Sequence, residues 1–517
     1  MSLLRNFATV GGATALSRAL GFGRDILMAA ALGTGPVADA FFVAFRFPNL
    51  FRRLFAEGAF NSAFVPLFGR ALEEGGVDEA RRFGSEALSA LLTILLILIA
   101  IAEIAMPILM YALAPGFADD PQKFDLAILL TRIAFPYLAL ASLLALFSGA
   151  LNARGRFAIA AFAPALLNAV FIAALAIVLT AGYAETENAG LVLSWATLVG
   201  GVAQLVTVIW AARRAGIGLR IAWPKLTPRV RRLGRLALPG ALAGGVTQIN
   251  IVVGTIIASL APGAVSYLYY ADRVYQLPLG IVGIAIGVVL LPELTRQLRG
   301  GNTESATHTQ NRALEFAMAL TLPAAIALVV IAEPIIQVLF QRGAFAAADT
   351  AATASALVAF AAGLPAFVLI KVLQPGFFAR EDTKTPMWFA AVSVIVNVAG
   401  SLALFPSFEH VGIAIATSVA GYVNAGLLGL ALWRRKALEI DTAARRRVPL
   451  ILLAALLMGA ALYFGADLVD DLLVHESGWV RVGGLTIMVS AGTVLFAVLV
   501  QVTGAVDFRQ AFRRRRG

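Results

Sequence analysis

Long apolar runs separated by short polar segments fill this chain of 517 residues. A run of about 20 mainly apolar residues is long enough to cross the hydrocarbon core of a bilayer as a helix. The pattern therefore predicts an all-α polytopic membrane protein with about fourteen transmembrane helices. The predicted spans are 7–32, 37–67, 86–113, 125–151, 158–181, 189–212, 234–259, 264–293, 311–332, 352–378, 386–405, 411–433, 448–466 and 482–504.

The loops between these spans alternate in charge. Every second loop is basic, and these loops contain Arg70, Arg81 and Arg82, Arg154 and Arg156, the run from Arg213 to Arg235, Arg296 and Arg299, Arg380 and Lys384, Arg434 to Lys436 with Arg445–Arg447, and Arg513–Arg516. The other loops are poor in basic residues and contain Asp119, Asp120, Glu185, Glu187, Glu409, Asp470 and Asp471. Because basic loops stay in the cytoplasm, the alternation predicts that both termini are cytoplasmic.

Two pairs of segments repeat at nearly the same spacing. FVAFRFPNL at 42–50 resembles YYADRVYQL at 269–277, and the segment 151–171 resembles 377–400, with offsets of 227 and 226 residues. The matches predict two six-helix lobes with the same topology, related by a parallel pseudo-two-fold repeat. Chance similarity between apolar helices is the alternative. The predicted regions are an N-lobe at 1–215, a basic connector at 216–233, a C-lobe at 234–435, and a C-terminal region at 436–517 with two extra helices and a basic tail.

Composition supports the membrane interpretation and excludes several kinds of chemistry. Hydrophobic residues make up 60% of the chain and charged residues 14%, and the mean hydropathy is +0.85. The net charge of +11 comes mainly from loop arginines, so it indicates topology and not a nucleic-acid partner. The absence of cysteine excludes disulfides, thiol catalysis and cysteine metal sites.

Ionisable residues inside the first two spans are the main functional signal. An ionised side chain near the bilayer centre costs about 2.5–3.5 kcal/mol on insertion scales. The planar guanidinium of arginine also binds phosphate in a bidentate contact of two parallel hydrogen bonds. We therefore predict a water-filled cationic cavity that takes an anionic substrate; the alternative is that single arginines snorkel to the interface or pair with Asp25 or Asp39. The in-membrane arginines are Arg18, Arg24, Arg46, Arg52, Arg53 and Arg273.

Local spacing adds detail to this cavity. Arg18 and Arg24 lie about 120° apart on an ideal helix, although the two glycines between them permit a bend. Asn49 and Arg52 are three residues apart on one helix and are predicted to touch. Asp272 precedes Arg273 directly and is predicted to orient its guanidinium.

Catalytic motifs are missing from the sequence. It contains no GxxxxGK[ST], HExxH or GxSxG pattern, and its three histidines fall in predicted loops. Carboxylates are scarce in the spans, and the isolated Glu103 is expected to pair with a neighbouring helix. We therefore predict a transporter and not an enzyme.

The residues of the first two spans also carry a family resemblance. SRALGFGRD, followed by ADAFFVAFRFPNLFRRLFAEGAFNSAFVPLF, resembles the MurJ (MviN) lipid II flippases of the multidrug/oligosaccharidyl-lipid/polysaccharide exporter superfamily, and the likeness extends over the whole chain. It implies transport of the undecaprenyl-pyrophosphate-linked disaccharide-pentapeptide, lipid II, from the cytoplasmic to the periplasmic leaflet by alternating access. It also implies a bacterial cytoplasmic (inner) membrane location, with membrane lipids and the cell-wall synthesis machinery as further partners.

The resemblance implies roles for particular residues. The family's functional arginines fall on Arg18, Arg24, Arg52 and Arg273, and supporting roles fall on Asp39, Arg46, Asn49, Glu57 and Asp272. No cofactor is implied; the driving force is a coupling ion, Na⁺ or H⁺, or the membrane potential. A sodium site occurs in part of the family, but no metal site is placed here, since the second lobe offers only candidates: Gln248, Asn250, Ser393 and Asn397.

The last two predicted spans have no counterpart in the repeat. In the family this helix pair forms a groove for the lipid tail. Small residues here, including Gly459 and Gly492, permit either close helix approach or an open furrow. The pair is therefore predicted to pack beside the second lobe and shape a groove, with simple bracing of the lobe as the alternative.

Three other functions are weighed against lipid II transport. A polysaccharide-precursor flippase of the same superfamily is disfavoured by the specific motif of the first two spans. A cation-coupled drug exporter is disfavoured by the positive sign of the predicted cavity. A membrane enzyme acting on polyprenyl phosphate is disfavoured by the lack of carboxylate clusters for metal or base catalysis.

Overall fold

The computed structural model describes residues 3–52, 60–473 and 477–505. These ranges contain no β-strand, and the all-α prediction is confirmed. The helices are α1 (Leu3–Leu32), α2 (Pro36–Arg52), α3 (Asn61–Leu113), α4 (Pro121–Ala134), α5 (Tyr137–Ala153), α6 (Ala158–Thr180), α7 (Glu187–Arg214), α8 (Pro228–Ala258), α9 (Ala264–Arg299), α10 (Thr303–Val330), α11 (Ala332–Phe340), α12 (Ala347–Phe378), α13 (Lys384–Arg434), α14 (Thr442–Gly465), α15 (Asp470–Leu473) and α16 (Gly478–Val502).

Nine helical segments of the described ranges are long and apolar enough to cross a bilayer. They correspond to α3, α4 together with α5, α6, α7, α10, α12, α13, α14 and α16. Helices α1 and α2 are not among them, because α1 carries the charged Arg18, Arg24 and Asp25, and α2 has only 17 residues in the described range.

Several helices are interrupted where the backbone leaves the helical region. Pro136 separates α4 from α5, as its fixed φ and missing N–H lead one to expect. The long helices α3 and α13 each contain one non-helical residue, Gly76 with φ 70° and Glu409 with φ 45°. Pro48, Pro164, Pro278 and Pro365, in contrast, lie inside helices.

Residues with left-handed backbone recur along the chain at a nearly constant separation. Gly155 (φ 70°) and Glu381 (φ 61°) are 226 residues apart and follow the same kind of helix end. In both, an N–H bonds to the carbonyl five residues earlier, Arg156 to Leu151 and Asp382 to Phe377. Further pairs with similar separation are Gly33 and Gly263, Gly76 and Gly301, Glu185 and Glu409, and Gly216 and Lys436.

The chain divides into two compact units. Unit one comprises Met1–Ser266 with Arg342–Phe345, and unit two comprises Tyr267–Gln341 with Ala346–Gly517. Helix α8 belongs to unit one, although the predicted C-lobe begins at residue 234. Division by compactness groups helices by packing and not by sequence repeat, so the predicted lobe boundaries stay a prediction.

Unit one has an aromatic core built by α3, α5 and α7. Phe64, Phe68 and Phe83 of α3 are buried there with Phe147 of α5 and Val208 of α7. This core holds the amino-terminal part of α3 in place beside α5, so the long helix has a firm support.

Unit two is organised around α12, which packs on both α10 and α13. Helix α14 packs on α10, and α16 packs on α14. A Cβ on Gly459 of α14 would overlap Ile326 of α10, and a Cβ on Gly492 of α16 would lie 3.1 Å from Leu462. Of the two roles that the sequence left open, these glycines therefore serve close helix approach and do not line a furrow.

Candidate functional site

The turn between α1 and α2 is fixed by close backbone contacts. Gly33 adopts φ 57° and its N–H donates to Ala29, which ends α1. Residues 342–345 of the same unit lie against this turn, where the Ala344 N–H donates to the carbonyl of Ala30 at 2.9 Å. A Cβ on Gly33 or Gly343 would overlap main-chain atoms, so both positions require glycine.

Arg24 of α1 lies in a hydrogen-bonded cluster. The residue is 8% exposed, and its Nε and Nη2 donate to Oδ1 of Asp25 at 3.1 and 2.7 Å. Its Nη1 donates to Oδ1 of Asn168 on α6 at 3.0 Å. The Asn168 amide donates in turn to the carbonyl of Ser17 at 2.9 Å. The buried arginine thus donates to a carboxylate and to a neutral amide, and such hydrogen bonds offset the cost of burying a charge.

Two aromatic rings complete the surroundings of Arg24. The guanidinium carbon is 5.6 Å from the ring centroid of Phe171 and 6.0 Å from that of Phe45. Both distances fall within the range of cation–π attraction. A phosphate would bind the Nε–Nη2 edge of the guanidinium in a bidentate contact. Asp25 occupies that edge here.

Asp39 of α2 forms a second buried cluster. It is 0% exposed and accepts a hydrogen bond from Lys123 Nζ at 2.7 Å. It also accepts from the Gly263 N–H at 3.0 Å, the Ser266 N–H at 3.1 Å and the Ser266 hydroxyl at 2.6 Å. The carboxylate therefore caps the start of α9, where helix N–H groups are otherwise unsatisfied. A role of Asp39 in substrate binding stays a prediction.

The second half of α2 carries the remaining described cations of that helix. Arg46 Nη1 donates to the Thr255 hydroxyl of α8 at 2.7 Å. Arg52 Nε donates to Oδ1 of Asn49 at 3.1 Å, which confirms the predicted contact between these two residues. Arg53 and Glu57 lie outside the described residues.

The predicted arginines differ in their surroundings. Arg18 is exposed, Arg24 is buried, and Arg52 is half-buried. Arg273 and Asp272 belong to unit two, where the Arg273 guanidinium lies 4.6 Å from the Tyr269 ring centroid and Asp272 accepts from Gln276. The shared cavity of all four functional arginines stays a prediction.

Three residues that the sequence analysis did not single out hold the predicted ones. They are Asn168, which binds Arg24; Lys123, which binds Asp39; and Thr255, which binds Arg46. Asn168 is an amide within an otherwise apolar predicted span, a signal that could have marked it. Lys123 lies two residues before a predicted span and therefore read as a loop residue.

The candidates for an ion site fall into different units. Gln248 and Asn250 are half-buried on α8, in unit one. Asn397 is buried on α13 in unit two, where its Oδ1 accepts from the Thr417 hydroxyl at 3.2 Å. This neighbourhood offers neutral oxygens, and the described residues contain no group of three or more His, Cys, Asp or Glu side chains able to hold a metal.

Comparison with known proteins identifies the family. The family described as "Lipid II flippase MurJ" matches residues 28–482. The chain belongs to this family. A "Probable lipid II flippase MurJ" from Rhizobium tropici is 49% identical, with 100% of this chain and 98% of that protein covered. A "Lipid II flippase MurJ" from Burkholderia cenocepacia is 34% identical, with 100% of both chains covered. The resemblance found in the first two spans is therefore confirmed, and the protein is a multi-pass membrane protein.

Solved structures agree with this assignment. A structure described as "Lipid II flippase MurJ, inward closed conformation" has a TM-score of 0.80 at 25% identity and covers 95% of this chain and 98% of that chain. An inward-facing multidrug resistance MATE family transporter of the MOP superfamily has a TM-score of 0.67 at 16% identity, covering 81% and 94%. The second likeness shows a shared fold alone.

Proposed function

We propose that the protein moves lipid II from the cytoplasmic to the periplasmic leaflet of the bacterial cytoplasmic membrane by alternating access. The observation that carries the proposal is the match to lipid II flippases over the whole chain. The arginines of α1 and α2 supply what this substrate needs, since a pyrophosphate is recognised by guanidinium groups in a low-dielectric setting. The polyprenyl tail stays in the hydrocarbon, because each exposed CH₂ costs about 0.8 kcal/mol.

Arg24 is the group best placed to exchange one anion for another. Its Nε and Nη2, the pair suited to a bidentate contact, both donate to one oxygen of Asp25, while Nη1 donates to Asn168. Asp25 compensates the buried charge when no substrate is present. A pyrophosphate oxygen that replaces Asp25 would keep the guanidinium satisfied, and Asn168 would keep it oriented. Arg18, Arg46, Arg52 and Arg273, with Asn49, Glu57 and Asp272, complete the proposed substrate-binding set.

The finer architecture belongs to the same proposal. We assign fourteen transmembrane helices, six in an N-lobe at 1–215, six in a C-lobe at 234–435, and two beyond them. The breaks at Gly76 in α3 and at Glu409 in α13 support counting these long helices as more than one segment. The left-handed residues that recur about 226 positions apart support the parallel repeat, because the same helix ends recur in both halves.

The C-terminal helix pair is proposed to guide the lipid tail. Because Gly459 and Gly492 serve helix packing, a groove would have to use the other face of α14. That face exposes Leu456, Leu457, Ala460 and Ala461. Bulky substitutions at Ala460 and Ala461 therefore test the groove without disturbing the contact between α14 and α10.

Topology, driving force and partners complete the proposal. The basic loops support a cytoplasmic location for both termini. Either the membrane potential or a coupling ion, Na⁺ or H⁺, drives transport. The cell-wall synthesis machinery that consumes lipid II is the proposed protein partner.

The test is transport of fluorescent lipid II by the purified full chain in liposomes. We expect labelled lipid II to reach the outer or inner leaflet according to the imposed gradient, with its covalent structure unchanged on mass analysis. Excess polyprenyl-linked polysaccharide precursor and cationic drugs are the competitors. Preferential transport of either competitor, or chemical conversion of lipid II, would contradict the assignment.

A further inference from the structure

A basic cavity lies in unit one away from the arginines of α1 and α2. It has a volume of about 610 Å³, within the ~300–1,000 Å³ typical of ligand sites. It is formed by α3, the end of α7 and the segment that follows α7. Four guanidinium groups and a single carboxylate line it, so it attracts anions. The lining residues are Asp78, Arg81, Arg82, Ser85, Arg213, Gly218, Leu219 and Arg220.

One wall of the cavity is the connecting segment 216–227, which we call the strap. Its Arg220 and Ala222 N–H groups donate to the hydroxyls of Ser85 and Ser89 on α3, each at 3.0 Å. The spacing fits, because four residues of a helix rise about 6 Å and two extended residues span about 6.6 Å. The strap is thus fastened along one face of α3 by matched hydrogen bonds.

Arg81 closes the end of the cavity and uses its nearest acid. Its Nε donates to the Gly216 carbonyl at 2.9 Å, and its Nη1 donates to Asp78 at 2.9 Å. Asp78 is thereby committed to Arg81. Arg82, Arg213 and Arg220 are exposed. Arg82 lies 3.9 Å from Glu79, so Arg213 and Arg220 give the cavity most of its excess positive charge.

The strap also exposes large apolar side chains. Ile221 is 72%, Trp223 84% and Leu226 78% exposed. Ile221 and Trp223 flank Ala222, whose N–H bonds to Ser89 of α3, and Ser89 falls inside the predicted span 86–113. Tryptophan at the end of a span is typical of the interface between headgroups and acyl chains. We therefore expect the guanidinium groups of the cavity to lie at the depth of lipid phosphates.

We propose that this cavity binds the phosphate of an anionic phospholipid of the cytoplasmic leaflet. Arg82, Arg213 and Arg220 contact the phosphate, and Trp223 and Ile221 enter the interface beside its glycerol. Basic pockets on the cytoplasmic side of membrane helices bind such headgroups. The site rests on the proposed topology but not on the transported substrate, so its test is independent of flipping.

The test measures lipid binding to the purified full chain by native mass spectrometry, with phosphatidylglycerol and phosphatidylcholine as probes. Each arginine near a headgroup contributes about fivefold in affinity, so the R213Q/R220Q variant is expected to bind phosphatidylglycerol about 25-fold more weakly. Phosphatidylcholine binding should not change. The matched control is R434Q/R446Q, which removes two exposed arginines of unit two that do not line this cavity.

Two outcomes would overturn the proposal. An equal loss of phosphatidylglycerol in the control variant would show attraction by overall charge and not by a site. Free inorganic phosphate that displaces phosphatidylglycerol, together with undiminished lipid binding in W223S, would show a soluble-anion site without a membrane component. Weaker phosphatidylglycerol binding in W223S supports the lipid site.

Discussion

Unit one contains two buried charged centres that are built in opposite ways. In the Arg24 centre, the charge is compensated by the next residue of the same helix, Asp25, and by the neutral amide of Asn168. In the Asp39 centre, the carboxylate collects Lys123 and three donors from the start of α9. The Arg24 centre pairs its charge within α1 and adds one hydrogen bond to α6, whereas the Asp39 centre joins three helices through one side chain.

The difference separates a site that can exchange partners from one that holds the fold. Replacing Asp25 at Arg24 with another anion exchanges a partner on the same helix and leaves the bond from Arg24 to Asn168 of α6 in place. Opening the Asp39 centre instead exposes a lysine and two main-chain N–H groups at once. We therefore expect mutations at the first centre to affect mainly transport, with some loss of stability where Asp25 loses the counter-charge of Arg24, and mutations at the second to affect mainly stability.

The largest expected effect is loss of stability at the Asp39 centre. Asp39→Asn leaves the buried Lys123 without a counter-charge, which costs about 3–5 kcal/mol in comparable pairs. The thermal midpoint of the purified protein in detergent should fall accordingly. Adding Lys123→Gln should restore much of the loss, because both charges are then absent. Exposed Asp119→Asn is the control, and a midpoint for Asp39→Asn equal to that control would refute the structural role.

The next effect is loss of transport at the Arg24 centre. Arg24→Ala removes charge-assisted hydrogen bonds worth about 1.5–3 kcal/mol each, so lipid II transport should fall by about 100-fold. Arg52→Ala should act similarly, and both variants should insert normally, since removing an in-span charge eases insertion. Lysine replacements should be intermediate because charge survives without the fork.

Complementation of a flippase-depleted strain measures this effect, with protein level checked in membranes. The exposed loop residue Arg156 supplies the control, since Arg156→Ala removes a charge outside α1 and α2. Full complementation by Arg24→Ala at wild-type protein level would refute the proposed role of this arginine.

A smaller effect is expected when the support of Arg24 is removed. Asn168→Leu keeps the size of the side chain but loses the bonds to Arg24 and to Ser17. The lost bond to Arg24 is the one that bears on transport; at about 1.5 kcal/mol, the low end for a hydrogen bond to a charged group, its loss should lower transport about tenfold. Thr180→Val on the same helix is the control, because Thr180 bonds only within α6 in the described structure. If Asn168→Leu raised only the unfolding rate and left transport per folded molecule unchanged, Asn168 would be structural.

Much of the fold could be predicted from the sequence, but the Arg24 centre could be predicted only in part. Apolar runs predicted the helices, and the cost of charge in lipid singled out Arg24. Its partner Asn168 is 144 residues away, and no local pattern connects two such positions. Most donors to Asp39 come from the main chain or from a residue of a predicted loop, and main-chain groups leave no signal in the sequence. Burial and pairing therefore had to come from the structure.

The glycines of the C-terminal helices illustrate the same limit. A small residue is consistent with both a furrow and a close contact, since the two differ only in what lies opposite. Ile326 lies opposite Gly459, and it is far away in sequence. In contrast, Pro136 ends a helix through its own covalent geometry, and this break was predictable from the sequence.

The smallest expected effect comes from an exposed ion pair, which serves as a comparison for the two buried centres. Asp382, in the loop before α13, accepts from the Thr385 N–H at 3.0 Å, from Arg435 at 2.6 Å and from the Thr385 hydroxyl at 2.7 Å. These hydrogen bonds hold the pKa of this carboxyl well below its usual range. Because the pKa is depressed in the folded state, the stabilisation is complete above the ordinary aspartate pKa of about 3.9 and is lost as the pH falls below it.

The measurement compares the thermal midpoints of the unmodified protein and Asp382→Asn from pH 7 to pH 3. We expect a small difference in midpoint at pH 7, equivalent to less than about 1 kcal/mol in the free energy of unfolding, because water screens an exposed ion pair. The gap should close as the pH falls below about 4, since the unmodified carboxyl then loses its advantage. Asp119→Asn should show no gap at any pH. A midpoint difference for Asp382→Asn that persists unchanged to pH 3 would mean that the shape of the side chain, and not its charge, stabilises this loop. Asp382 could then no longer serve as the electrostatic comparison for the two buried centres.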